Sequence, residues 1–233
     1  MNDVVAVFRD REGRLVSCWP QELTGVPLEE RSPPTIPQPY RGRAGIITHW
    51  PVATTGRMVV CGSLQRWRIA IALDFDSHIE AFSCEPVELR WRVGRRSLRW
   101  RPAFVARTRD GTRQILLPAY SGKPPAVHTE RLRMLEEAAD AAGWQVHHVQ
   151  EPSGVRATNL QWAAGYRFPT ISMDEERVLL RAFAQPVGVR RGAAASGLPE
   201  LIALDLAYQL IWQQRVHIDW QQPLLPDALA WAA

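Results

Sequence analysis

The chain has 233 residues, enough for one large domain or two small ones, and 46% of them are hydrophobic, so a core can be buried. No run of about 18 uncharged apolar residues is present to span a membrane. The net charge is +4 and nearly all the basic charge is arginine. Lys123 is the only lysine, so chemistry that needs a lysine has one residue to draw on.

The opening "MNDVVAVFRD" lacks the charged-then-apolar signature of a signal peptide, so the expected location is the cytoplasm. Cys18, Cys61 and Cys84 are far apart, odd in number and without a CxxC pair, which supports neither a disulfide framework nor a zinc ribbon. His147 and His148 are adjacent on an expected strand. They point to opposite faces and cannot ligate one ion together.

In chain order, "VVAVFRDREGRLVSCW" predicts a β-hairpin turning at Arg11-Glu12-Gly13. Residues 26–51 are rich in proline and predict an extended connector. "SLQRWRIAIALDFD" predicts a helix with Ser63 as N-cap and Leu64, Trp67 and Ile71 on one face. "VELRWRV" predicts a strand with Val87, Leu89, Trp91 and Val93 inward and Glu88, Arg90 and Arg92 outward. "SLRWRPAFVAR" predicts another, with Leu98, Trp100, Pro102, Phe104 and Ala106 opposite Arg99 and Arg101. Asp110-Gly111 is a hairpin signal into "RQILLPA". "TERLRMLEEAADAAG" predicts a helix from an N-cap at Thr129 to a stop at Gly143. "WQVHHVQ" predicts a strand and "VRATNLQWAAGYR" a short helix.

After Pro169 the pattern changes. "SMDEERVLLRAF" and "LPELIALDLAYQLIWQQ" predict helices, and "RVHIDW" and "QPLLP" short strands. Helices followed by a small β-wing suggest a winged-helix module. The expected organisation is a hairpin and connector over 1–50, an α/β domain over 51–169 and a winged-helix-like domain over 170–233.

The two strands around the turn between Arg99 and Tyr120 have the shape that, in one large nuclease class, carries an Asp on the first strand and a Glu-X-Lys on the second. Together with "LDFD" (Leu73 to Asp76), the Phe82-to-Pro86 spacing in "FSCEP", "GWQVHHV" and "NLQWAAGYR", these stretches resemble the TnsA-like endonuclease subunit of heteromeric transposases. The resemblance covers roughly Thr54 to Arg167, and more loosely the tail. It implies a restriction-endonuclease-like fold and a PD-(D/E)XK site. There, carboxylates hold Mg²⁺ to polarise the phosphodiester and activate water, and a lysine offsets developing charge. It also implies DNA, a DDE transposase and an AAA+ regulator as partners.

Carried over residue by residue, the site is degenerate. The helical Glu falls on Gly62, the Asp on Ala103, and the acid and base of the second strand on Leu117 and Ala119. None of these can ligate a metal. Pro118 between the last two removes a ladder donor and predicts an irregular or edge strand. Asp74 and Asp76 could stand in as displaced acids, but a polar helix end explains them as well. Asp110 reads as a turn residue, Glu85 and Glu88 as surface strand positions, and Lys123 as a loop residue facing water.

Nine arginines fall between positions 90 and 113: Arg90, Arg92, Arg95, Arg96, Arg99, Arg101, Arg107, Arg109 and Arg113. Clustered guanidiniums attract phosphate backbones and release counterions. Three readings follow. The leading one is a catalytically degenerate TnsA-like subunit that binds DNA or helps assemble a transposition complex, with no cofactor. The second is an active endonuclease with displaced ligands and Mg²⁺. The third is a protein-interaction module with no DNA role.

Overall fold

The computed structural model describes residues 4–120 and 126–233, so Lys123 lies outside the described residues. The chain is mixed α/β and divides into two units, Met1–Glu151 and Pro152–Ala233. Among the described residues no helix is long and apolar enough to cross a membrane.

In the first unit, β1 (Val5–Arg9) and β2 (Leu15–Cys18) form the expected hairpin. The stretch expected as an extended connector holds more structure than that. Leu28–Glu30 forms a 3-10 turn with Leu28 and Glu29 buried, and β3 (Thr48–Pro51) pairs antiparallel with β4 (Met58–Cys61). Helix α1 (Leu64–Phe75) is capped as expected, the Ser63 hydroxyl accepting the Arg66 N–H at 3.2 Å. Its buried residues are Ile69, Ala70, Ile71, Leu73 and Asp74, while Leu64 is exposed. Then come β5 (Ile79–Cys84), β6 (Val87–Val93), β7 (Arg96–Trp100), β8 (Phe104–Thr108), β9 (Arg113–Pro118), α2 (Ala126–Ala142) and β10 (Gln145–Val149).

These strands build two larger sheets. One is antiparallel, in the order β2-β1-β6-β7. The other runs β10-β9-β8-β5, with the β5–β8 and β8–β9 pairs antiparallel and β10 parallel to β9. The stretch "SLRWRPAFVAR", expected as one strand, is therefore two. It breaks at residues 101–103, where Pro102 has no amide hydrogen to give a ladder, and the chain passes from the first sheet to the second. Phe104, Val105 and Ala106 are all buried, so β8 does not alternate as an open-faced strand would. Pro118 also differs from expectation. It closes β9, an inner strand, and the bonding resumes one residue later with the Ala119 N–H donating to the Val149 carbonyl at 2.8 Å.

Helix α2 starts at Ala126, so Thr129 lies within it and is not its cap. Gly143 stops it as expected. Its φ of 71° is left-handed, and the Trp144 N–H reaches back to the Ala139 carbonyl at 2.8 Å. The core of this unit joins Ala6, Phe8, Leu89 and Trp91 of the first sheet to Val105, Ile115 and Leu117 of the second and to Met134, Leu135 and Ala138 of α2. Glu29 is buried beside that core, with Arg107 at 2.9 Å and Arg113 at 3.3 Å.

In the second unit the elements are α3 (Gly154–Ala163), α4 (Met173–Ala182), β11 (Val187–Gly188), α5 (Val189–Ala195), α6 (Glu200–Trp212), β12 (Val216–Ile218) and β13 (Leu229–Ala232). The strands form a small sheet in the order β11-β13-β12. The unit begins at Pro152 instead of 170 because α3 belongs to it. Asn159 is buried, its amide donates to the Trp220 and Gln222 carbonyls at 3.2 and 2.7 Å, and its oxygen accepts the Leu224 N–H at 2.9 Å. "QPLLP" is not a strand. Its two prolines cannot donate, and Leu229–Ala232 pairs with β12 instead. Helix α5 and β11 add to the expected elements. Gly192 lets α5 approach α4, since a Cβ there would lie 2.3 Å from the Phe183 ring.

Glu29→Ala would leave two guanidiniums facing each other without their buried counter-ion. A loss of about 3 kcal/mol is expected, the lower end for a broken buried pair, measured by urea unfolding. Glu137→Ala, which removes an exposed helix pair with Arg133, should change the midpoint little.

Candidate nucleic-acid interface

The β6–β7 hairpin carries the basic surface. Leu89, Trp91, Leu98 and Trp100 face the core from these two strands, so the alternate positions form the outer face. Arg90 stands directly opposite Arg99, and Arg92 opposite Ser97. Arg90, Arg92 and Arg99 are exposed, as are Arg95 and Arg96 at the turn. Like charges directly opposite on a sheet are destabilising unless something neutralises them. Glu88 supplies part of that, with Arg90 at 2.8 Å and Arg101 at 3.7 Å. Among the described residues Arg92, Arg95, Arg96 and Arg99 make no ion pair, so their charge is presented to solvent.

The other arginines of the run do not share this face. Arg107, Arg109 and Arg113 lie on the second sheet and its β8–β9 turn. Arg107 pairs with Glu29, Glu80 and Glu30, and Arg113 with Glu29 and the Thr24 carbonyl. Arg109 donates to the Ser77 carbonyl. Arg107 and Arg113 are thus structural clamps, and the expected single cluster of nine resolves into an open hairpin and a set of internal ties.

Of the four positions on which the resemblance places the missing ligands, three come together. Ala103, Leu117 and Ala119 line one cavity of about 370 Å³ with Gln65 and Arg66 of α1, Trp100, Arg101, Pro118, Tyr120 and His128. Ala103 precedes β8 and Leu117 follows Leu116, the partner of Phe104, so the two sit one step past the paired residues. Gly62 is buried just before the cap of α1 and is not in the lining; a Cβ there would meet the Arg43 side chain at 3.3 Å. The cavity's side chains are mostly ones that no local pattern marks. Arg66, Tyr120 and His128 are separated along the sequence and meet only through the fold.

A second cavity, of about 240 Å³, shares Arg66, Trp100 and Arg101 and adds Glu85, Glu88 and Arg99. Both acids depart from the expected surface strand positions. Glu88 is buried under Arg90 and Arg101. Glu85 holds a left-handed backbone, φ 50°, which costs of order 1–3 kcal/mol for a residue with a Cβ. Its N–H donates to the Ala103 carbonyl at 3.0 Å, and its carboxylate meets Arg66 at 2.7 Å and Arg101 at 3.8 Å. The carboxylate nearest Ala103 is thereby already neutralised by two guanidiniums.

The proposed stand-in acids have structural partners. Asp74 is buried and accepts from the Trp50 indole N–H at 3.1 Å and the Ala53 N–H at 2.9 Å, which ties α1 to β3. Asp76 accepts the His78 N–H at 2.9 Å. Asp110 turns the β8–β9 hairpin, and hydrogen bonds from Thr108 and Thr112 hold its carboxyl below the usual range. Among the described residues no three His, Cys, Asp or Glu side chains converge to hold a metal ion. The residues at this site therefore do not fit the Mg²⁺ that the resemblance implies. No family model matches the chain, and no curated protein matches it.

Asp74→Ala strands the buried Trp50 indole N–H and the half-buried Ala53 N–H and is expected to cost about 2–4 kcal/mol by urea unfolding, far more than Asp76→Ala.

Proposed function

We propose that this chain is a DNA-binding subunit of a transposition complex, built on a restriction-endonuclease-like fold that holds duplex without cutting it. The observation that carries the reading is the exposed arginine face of β6–β7, whose unpaired like charges a phosphate backbone would relieve. The order α1, β5, β8, β9, α2, β10 supports the fold. It is a helix, a three-strand meander, a second helix and a fourth strand parallel to the third, which is the core the resemblance implies. The β6–β7 hairpin is an insertion between the first two strands of that core and gives it a basic outer sheet. Apolar Ala103, Leu117 and Ala119, with Glu85 held by Arg66 and Arg101, support binding over cleavage.

The second unit supports a docking role more than a DNA-reading one. The whole net charge of +4 falls before Pro152; the rest of the chain has seven arginines against seven acids. In a winged-helix-like reading α6 would face DNA, yet its exposed residues are Glu200, Leu201, Ile202 and Asp205. That surface suits a protein partner, for which a DDE transposase or an AAA+ regulator is the family expectation.

Duplex affinity is expected to fall steeply with salt, with a log–log slope of about −0.9 per neutralised phosphate. Arg92→Ala with Arg95→Ala and Arg99→Ala should weaken all sequences alike and flatten the slope by about 2–3, while Arg133→Ala on α2 leaves it unchanged. Duplex incubated with Mg²⁺ or Mn²⁺ should remain intact. Binding that ignores salt and these three arginines would sink the reading, and metal-dependent nicking by the purified protein would replace it with that of an endonuclease.

A further inference from the structure

The cavity at Ala103 and Leu117 has lost the groups for cutting but is not featureless. Two guanidiniums, Arg66 and Arg101, line it, and among the described residues no carboxylate does. Arg66 is held by Glu85 at 2.7 Å, and Arg101 lies 3.8 and 3.7 Å from Glu85 and Glu88 and donates to the Thr35 carbonyl at 3.4 Å, which restricts both side chains before any ligand arrives. The Arg66 Nε is buried without a hydrogen-bond partner. Three rings also line it. Trp100 and His128 lie edge to face at 5.7 Å, and Tyr120 and His128 are tilted at 4.7 Å. Ala103, Leu117 and Pro118 add an apolar part to the lining. Gln65 adds an amide that can both donate and accept.

Each part selects a ligand feature. A restricted guanidinium pair takes a phosphate. A set of aromatic rings with an apolar lining takes a planar heterocycle, which stacks through its π-face whatever its identity. The amide meets a polar edge. The volume lies within the range of roughly 300–1,000 Å³ usual for small-molecule sites. We propose that this cavity binds a nucleotide with an unpaired base, the phosphate on Arg66 and Arg101 and the base against Trp100, Tyr120 and His128. A base still paired in a duplex cannot turn its face to these rings. The ligand is therefore an unpaired nucleotide of a DNA strand or a free nucleotide, and the first of these rests on the DNA-binding reading above.

The test uses the full chain and fluorescence anisotropy with a labelled blunt duplex and with the same duplex carrying a short single-stranded overhang. The overhang is expected to raise affinity roughly tenfold, in keeping with one or two base–aromatic stacks. Tyr120→Ala, at a half-exposed position where folding is not at stake, should remove most of that preference and leave blunt-duplex affinity as it was. A deoxynucleoside monophosphate that displaces the overhang marks the site as open to free nucleotides; failure to displace it marks one that needs the strand. Weak binding of the blunt duplex with a Tyr120-dependent overhang preference keeps the cavity assignment and removes the sheet-face reading. Equal affinity for the two duplexes in the unmodified protein, or a preference that survives Tyr120→Ala combined with His128→Ala, overturns the proposal.

Discussion

Pro102 is the point on which the first unit turns. It has no amide hydrogen, so the strand that begins at Arg96 cannot run on through it, and the chain leaves one sheet for another within three residues. That transfer lets a single core serve two sheets, with Leu89 and Trp91 on one side and Val105 and Ile115 on the other. It also sorts the arginines. Those before the break stand on an open hairpin; of those after it, Arg107 and Arg113 are drawn inward to Glu29 and Arg109 ties to the Ser77 carbonyl. Ala103, immediately after the break, lands against Leu117 and opens the cavity between the two sheets' neighbouring strands and α1.

Buried charge is the second organising theme. Glu29, Asp74 and Glu88 are all removed from water; Glu29 and Asp74 are met by donors from distant parts of the sequence, and Glu88 by Arg90 beside it and Arg101 of the bend. Removing water from a carboxylate is expensive, and only good geometry with its partners offsets the cost. These acids thus fix which segments must come together: the 3-10 turn onto β8 and β9, α1 onto β3, and β6 onto the Arg101 bend. Glu85 and Glu88, which line the neighbouring cavity, are likewise committed to arginines.

Much of this was legible in the residue order. The hairpin at Gly13, the turn at Asp110-Gly111, the Ser63 cap and the Gly143 stop all rest on local backbone chemistry, which a sequence displays directly. The outward side of β6 was legible too, since alternation alone assigns Arg90 and Arg92 to it. What alternation could not convey is that Glu88, on the same side, is buried, because its cover comes from Arg101 in the next strand's exit. Nor could it separate β7 from β8, since the pattern of apolar positions runs unbroken through Pro102. The early start of the second unit was hidden for a similar reason: Asn159 looks like any helical polar residue until Trp220 and Gln222 arrive to accept from it. At the site, the absence of ligating residues at Ala103, Leu117 and Ala119 was plain from the sequence, whereas the group of rings was not, since Trp100, Tyr120 and His128 share no period.

The position of β7 has one more consequence. It is the last strand of its sheet, with one row of backbone donors and acceptors left open. An open edge is a template on which a second copy of a chain can add itself, and charged side chains are a common means of preventing this. Arg96 and Arg99 flank that row, and Arg95 guards its entry. Placed there, these guanidiniums oppose pairing of the edge with a second copy of the chain, since two such edges would bring like charges together.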